Sequence, residues 1–166
     1  MLFALALLLA AQSSAMPMQA APCTGAPTAL PAGMEGWARA QPAKAAARSE
    51  SAPVLTLGIS IAATLLPMSK IAFVSRPEKP GGAAGNGGIF AFVVPTAGRY
   101  RITLGSPAWI DVLRGTTAAA SVAHGHGPAC STVRKMVDFD LQPGRYFLQV
   151  AGSDTVSLPM MVSRVP

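Results

Sequence analysis

Apolar and polar positions alternate along two similar stretches of the chain, residues 90–104 and residues 137–150. Each stretch contains an alternating segment, a turn with proline, and a second segment that opens with Gly-Arg-Tyr. A period of two predicts strands with one apolar face, and we interpret the pattern as a β-hairpin that occurs twice. The predicted inner-face residues are Phe90, Phe92, Val94, Tyr100, Ile102, Leu104, Val137, Phe139, Leu141, Tyr146, Leu148 and Val150.

The intervening positions are mostly polar, which predicts sheets that cover a core on one side only. Asp140 lies across a short turn from Arg145, so we expect a surface ion pair between these two residues. Tyr100 and Tyr146 are expected to be structural, each with a buried ring and a hydroxyl that bonds to a loop. The predicted outward-facing residues include Arg99, Arg101, Thr103, Asp138, Asp140, Arg145 and Gln149.

Length and composition agree with this pattern. The 166 residues suit one domain, and 51% hydrophobic residues, 12% charged residues, 16 Gly and 15 Pro favour a turn-rich β protein. We therefore predict an all-β fold over residues 54–166. The prediction is a single antiparallel β-sandwich, jelly-roll-like or immunoglobulin-like, with about eight or nine strands.

The amino-terminal third has a different character. Residues 1–15 form an apolar run that ends in small residues, which predicts a secretory signal peptide cleaved near Ala15. Residues 16–53 are rich in Ala and Pro and predict an irregular lead-in, with Trp37 as a packing anchor. We expect a periplasmic or secreted protein, and no later apolar run predicts a membrane span in the mature chain.

The net charge of +6 comes from 13 basic and seven acidic residues. The basic residues are spread along the chain and are not interleaved with stacking aromatic residues. This distribution predicts a solvated basic surface and no nucleic-acid partner.

Scarce reactive residues converge at positions 124–130, His-Gly-His-Gly-Pro-Ala-Cys. Two histidines at i and i+2, followed by a thiol, suit Zn or Cu, so His124, His126 and Cys130 are candidate metal ligands. A cupin iron site would also need a Glu and a distant His, and the sequence contains no other His.

The two cysteines offer an alternative to metal binding. Cys23 and Cys130 are the only cysteines, and an even number in an exported chain favours a disulfide. The bridge would close a loop of about 100 residues, which the chain-entropy model values at about 4 to 5 kcal/mol.

Two further pairs are candidate sites. Trp109 beside Asp111 could bind a sugar by stacking, although a packed Trp in a strand is also consistent with this position. Asp138 and Asp140 share one face, as a glycosidase pair would, but they alternate regularly with core residues.

The Pro-x-x-Gly-Arg-Tyr and Pro-Gly-Arg-Tyr strand starts resemble those of pre-peptidase C-terminal modules, bacterial β-sandwiches in which Gly-x-Tyr opens a core strand. The chain is also similar to a group of short exported bacterial proteins that share three segments. These segments are Gly-Ser-Pro-Ala-Trp-Ile-Asp at 105–111, His-Gly-His-Gly-Pro-x-Cys at 124–130 and Arg-Lys-Met-Val-Asp-Phe-Asp-Leu at 134–141. The resemblance implies an exported β-sandwich over residues 54–166. A homogentisate dioxygenase label is attached to some such chains, but the ligands of that iron site are missing here.

Two functional hypotheses follow. The first is an exported, non-catalytic β-sandwich module of the cell envelope that needs no cofactor and binds an envelope component or another protein. The second is a metal-binding protein or metal-dependent, dioxygenase-like enzyme that holds Zn, Cu or Fe at His124, His126 and Cys130.

Overall fold

The computed structural model describes Cys23, residues 28–78 and residues 85–166. The predicted signal peptide lies outside these residues, as does most of the predicted lead-in before residue 28. The described residues form two 3₁₀ turns, Ser49–Ser51 and Met68–Lys70, and twelve strands. The strands are β1 (Gln41–Lys44), β2 (Val54–Leu55), β3 (Ser60–Thr64), β4 (Leu66–Pro67), β5 (Asn86–Val94), β6 (Gly98–Leu104), β7 (Trp109–Arg114), β8 (Thr117–Ala118), β9 (Ser121–Gly125), β10 (Lys135–Leu141), β11 (Gly144–Ser153) and β12 (Ser157–Arg164).

The strands form two sheets that pack together, so the predicted β-sandwich is confirmed. Sheet A has the order β1-β3-β12-β6-β10-β9, and sheet B has the order β2-β5-β11-β7-β8, with β4 also paired to β5. Both sheets are mixed, because β1 runs parallel to β3 and β2 runs parallel to β5. The other strand pairs of the described chain are antiparallel.

The main core lies between the two sheets and contains every predicted inner-face residue. Phe90 and Phe92 of β5 are completely buried, as are Tyr100, Ile102 and Leu104 of β6. The alternation of apolar residues therefore identified which side of each strand faces the core.

The prediction of two β-hairpins is wrong. β5 belongs to sheet B and β6 to sheet A, while β10 belongs to sheet A and β11 to sheet B. Each repeat is therefore an arch that crosses from one sheet to the other. β5 pairs with β11, and β6 pairs with β10. An arch and a hairpin both place alternate side chains against the same core. The alternation of apolar and polar residues is therefore the same in both and does not distinguish them.

The Gly-Arg-Tyr motif forms the second half of each arch. Gly98 and Gly144 have φ values of +159° and +148°, where a side chain is disfavoured. The hydroxyl of Tyr100 donates to the Thr96 carbonyl at 2.9 Å, and the hydroxyl of Tyr146 donates to the Gln142 carbonyl at 2.9 Å. The structural role predicted for both tyrosines is confirmed.

The outer face of sheet A is partly covered by the lead-in, as the predicted Trp37 anchor requires. Trp37 is 7% exposed, packs with Met34, Val133 and Met161, and donates from Nε1 to Thr132 Oγ1 at 2.8 Å. Residues 41–44 form strand β1, although the lead-in was expected to be irregular. The cover buries Thr103, which was predicted to face outward.

The outer face of sheet B is also covered, although the sequence pattern predicted sheets that bury one face only. Gln149 was expected to face outward but is fully buried. Its Oε1 accepts hydrogen bonds from the backbone N–H groups of Val74 and Ser75, at 2.5 and 3.1 Å. Its Nε2 donates to the Ser75 carbonyl at 3.0 Å. These bonds hold the segment after β4 against the sheet.

Two ion pairs join β6 and β10 on the outer face of sheet A. Arg101 bonds to both oxygens of Asp138 at 2.7 and 2.8 Å, and Arg99 bonds to both oxygens of Asp140 at 2.9 and 3.2 Å. The expected Asp140–Arg145 pair is therefore wrong. The arch places Arg145 in the other sheet, and the register places Arg99 directly opposite Asp140.

Candidate functional site

A cleft of about 280 Å³ opens beside β7 and β9, at the edges of the two sheets. β8 pairs only with Leu113 and Arg114, so it ends before reaching the first half of β7. Ile110, Val137 and Phe139 supply apolar walls. We call this space the edge cleft. Its polar and aromatic lining consists of Glu78, Trp109, Asp111, Ser121, His124 and Lys135.

A β-bulge brings two of these side chains together. His124 pairs with Val137 and Ser121 pairs with Phe139, so Val122 is an extra residue between β9 and β10. Ser121 and His124 therefore lie on the same side of β9 despite being three residues apart. Ser121 Oγ and His124 Nε2 share a hydrogen bond of 2.8 Å.

Trp109 and Asp111, the residues predicted to bind a ligand, are hydrogen-bonded to each other in the cleft. Trp109 Nε1 donates to Asp111 Oδ1 at 2.8 Å. Gln149, directly opposite Asp111 in the β7–β11 register, also forms a hydrogen bond with this carboxyl, which favours its ionised form. Oδ2 is buried and receives no well-aligned hydrogen bond from the described residues. Together, Trp109 and Gln149 hold the Asp111 carboxyl in the wall of the cleft.

Lys135 lies at the same edge. Its Nζ donates to the Ala108 carbonyl at 2.6 Å and lies 5.7 Å from the centre of the Trp109 ring. An ammonium group at this distance from an indole is attracted to the ring. Lys135 has two further donor hydrogens available to a ligand.

Burial shifts the pKa values of Asp111 and Lys135 in opposite directions. Desolvation raises the pKa of Asp111, while hydrogen bonds from Trp109 and Gln149 oppose the shift and the charge of Glu78 adds to it. Desolvation also lowers the pKa of Lys135. Each charged form has lost part of its hydration, and no ion pair within the described chain joins the two groups. Perturbed groups in a cleft are typical of functional sites.

A second pocket of about 290 Å³ adjoins the edge cleft and shares His124 and Lys135 with it. His126 and Arg134 also line this space, which we call the basic pocket. His126 donates from Nδ1 to the Arg134 carbonyl at 3.0 Å. Its Nε2 therefore remains available for a ligand.

The candidate metal ligands are not gathered into a site. Among the described residues, no group of three His, Cys, Asp or Glu side chains is arranged to hold a metal ion. His124 instead bonds to Ser121, and His126 bonds to a backbone carbonyl. The structure thus places His124 with Trp109 and Asp111, and does not combine it with His126 and Cys130 as ligands.

Cys23 and Cys130 lie side by side, although 107 positions separate them in the sequence. Both are free thiols, and the pair is separated by 2.6 Å, longer than a disulfide bond of about 2.05 Å. The neighbouring Cys130 thiol, through its hydrogen bond, is the main factor that raises the pKa of Cys23. Cys130 has a φ of +58°, uncommon for a non-glycine residue, in a turn that Ser131 closes on the Pro128 carbonyl.

The sequence contained a signal for Lys135 that its interpretation did not use. Positions 135, 137, 139 and 141 share one face of a strand, so a lysine at 135 belongs to the side facing the core. A charged residue on an inner face is a candidate for function. Ser121 and Glu78 had no comparable signal, because the bulge and the packing of the segment after β4 depend on tertiary structure.

No protein-family model matches the chain, and no match to a curated protein was found. No helix among the described residues combines the length and apolar character required to cross a membrane.

Proposed function

We propose that this protein is an exported, non-catalytic binding module of the cell envelope. In this proposal, the edge cleft holds a small, hydroxyl-rich ligand such as a saccharide. The observation that carries the proposal is the cleft of about 280 Å³ whose lining includes the Trp109 ring, the Asp111 carboxyl and the Lys135 ammonium. Ligand hydroxyls would donate to the carboxyl and accept from the ammonium.

The other groups of the cleft support a hydroxyl-rich ligand. Trp109 provides an aromatic wall, Lys135 provides donors, and the Ser121–His124 pair can donate or accept. Apolar walls with a few converging polar groups are typical of small-molecule sites. Saccharides present both apolar ring faces and hydroxyl groups, which suits this combination.

The two indole groups provide an internal comparison for testing the cleft. We expect titration with glucose, galactose, mannose or N-acetylglucosamine to shift the Trp109 indole N–H resonance in an NMR spectrum. The Trp37 indole should not move, because it is buried against the outer face of sheet A. Asp111→Asn should weaken the Trp109 response, and Glu50→Gln, which changes an exposed carboxyl outside the cleft, should retain it. Equal responses from both indoles, or none from either, would contradict the proposal.

Export through residues 1–15 remains part of the proposal. The supporting observation is the apolar run with small residues at its end. Mass spectrometry of protein recovered from the periplasm or medium should find a chain that begins just after Ala15. Recovery of only the full-length chain from the cytoplasm would contradict export.

We also propose that Cys23 and Cys130 are oxidised to a disulfide in the exported protein. Their proximity supports this, because no long backbone movement is needed to join them. We expect exported protein to contain no titratable thiol. Cys23→Ser and Cys130→Ser should each lower the free energy of unfolding, by up to about 4 to 5 kcal/mol.

A reductant supplies the control for the cysteine variants. Wild type and Cys23→Ser should differ in Tm under oxidising conditions and agree closely once wild type is reduced. Two free thiols in exported wild type, or a difference that persists after reduction, would contradict the disulfide.

A further inference from the structure

The basic pocket differs from the edge cleft in its charge. Arg134 and Lys135 line it together with His124 and His126, and no carboxylate is part of its lining among the described residues. The two ion pairs of the described chain use Arg99 and Arg101, so neither Arg134 nor Lys135 is neutralised in this way. The described residues therefore give neither cationic side chain a salt-bridge partner, although Lys135 also lines the edge cleft with Glu78 and Asp111.

Two side chains of this pocket are held in place. Lys135 is fixed by its bond to the Ala108 carbonyl, and the His126 ring is fixed by its bond to the Arg134 carbonyl. Since His124 and Lys135 also line the edge cleft, one ligand can occupy both spaces. A ligand in both would place one part near Asp111 and another near Arg134.

We propose that the basic pocket binds the anionic group of an acidic saccharide whose hydroxyl-bearing ring occupies the edge cleft. This inference rests on the proposed function and extends it by naming the charge of the ligand. The shared chemistry is an oxyanion, either a carboxylate or a phosphate. Charge-assisted hydrogen bonds from a guanidinium or ammonium group to an oxyanion are stronger than neutral ones.

The test compares ligands that share one sugar ring. Glucose, glucuronate and glucose 6-phosphate would be titrated separately, with inorganic phosphate as the anion without a ring, and shifts of the Trp109 indole and the His124 and His126 rings would be followed by NMR. We expect at least one anionic sugar to bind about ten-fold more tightly than glucose. The two anionic sugars distinguish a carboxylate from a phosphate, and inorganic phosphate should bind more weakly than the preferred sugar.

Charge variants locate the effect. Arg134→Gln should bring the affinity for the preferred anionic sugar close to that for glucose and leave glucose binding unchanged. Arg48→Gln, which removes an exposed charge from another part of the chain, should preserve the preference.

The outcomes separate the two proposals. Equal binding of glucose and both anionic sugars would overturn the inference and leave the proposed function standing. A preference that survives Arg134→Gln would overturn the inference as well, because it would place the anion elsewhere. No binding of any sugar would overturn both.

Discussion

The charges on the outer face of sheet A and the charges of the edge cleft are held in opposite ways. Arg101 and Asp138 meet through two hydrogen bonds, and their side chains are 18% and 7% exposed. Asp111 and Lys135 are also partly buried, but each bonds to a neutral neighbour. The first pair is complete within the protein, whereas the second set retains unused hydrogen-bonding capacity.

Strand length explains this difference. β6 lies beside β10 for seven residues, so the register places a guanidinium directly opposite each carboxylate. At the cleft, β8 ends after two residues, and the strand on the other side of β7 places the neutral Gln149, not a cation, opposite Asp111. Charges that are matched across a full strand pair stabilise the fold, and charges at an incomplete edge are available to a ligand.

The largest expected effect comes from breaking the buried pair. Arg101→Met should lower the free energy of unfolding by about 3 kcal/mol or more, because it leaves the Asp138 carboxylate buried without its cation. Urea denaturation monitored by circular dichroism would measure the loss. The double variant Arg101→Met with Asp138→Leu should recover much of it. A single variant as stable as wild type would contradict the structural role of this pair.

Much of the fold was predictable from the sequence, because side-chain alternation reports directly on burial. All the inner-face positions inferred from it, such as Phe90 and Leu148, lie in the core. Strand pairing was not predictable in the same way. Placing Arg99 and Asp140 in separate hairpins concealed their ion pair, which exists only because the two repeats pair with each other.

The candidate site was only partly predictable, for a related reason. Trp109 and Asp111 are close in sequence, so their association could be anticipated. His124 joins this pair only because of a bulge between β9 and β10. An extra residue in a strand pair leaves no recognisable pattern in the amino-acid sequence, so the bulge was not predicted. Metal binding by His124 and His126 was suggested by their spacing, whereas in the structure one nitrogen of each ring bonds to a neighbour, Ser121 for His124 and the Arg134 carbonyl for His126.

A smaller effect is expected from Asp111→Asn, and its direction sharpens the comparison. Because the folded-state pKa of Asp111 is raised by burial, its stabilising contribution is complete below the ordinary aspartate pKa, about 3.9, and is lost as pH rises through the folded value. Asp111→Asn should therefore raise Tm at pH 7 while weakening ligand binding.

Measurement of Tm at two pH values tests the cause. Near pH 3, below the ordinary aspartate pKa of about 3.9, the advantage of Asp111→Asn should disappear because the wild-type carboxyl is protonated. A fall in Tm at pH 7 for Asp111→Asn would indicate that Asp111 stabilises the fold as Asp138 does, and the contrast between the two sets of charges would be lost.

The smallest expected effect comes from Arg99→Gln, on the same two strands as Arg101→Met. Arg99 and Asp140 have side chains that are 47% and 57% exposed, so water and salt screen their attraction. The hydrogen bond from Arg99 lowers the pKa of Asp140, and the stabilisation this reflects is present above the ordinary aspartate pKa and is lost as pH falls through the lowered value. Arg99→Gln should therefore lower Tm slightly at pH 7 and low salt, and the difference should vanish in high salt or strong acid.

The loss caused by Arg101→Met should persist in high salt, because the Arg101–Asp138 pair is shielded from solvent. If both variants responded equally to salt, burial would not be what separates the two pairs.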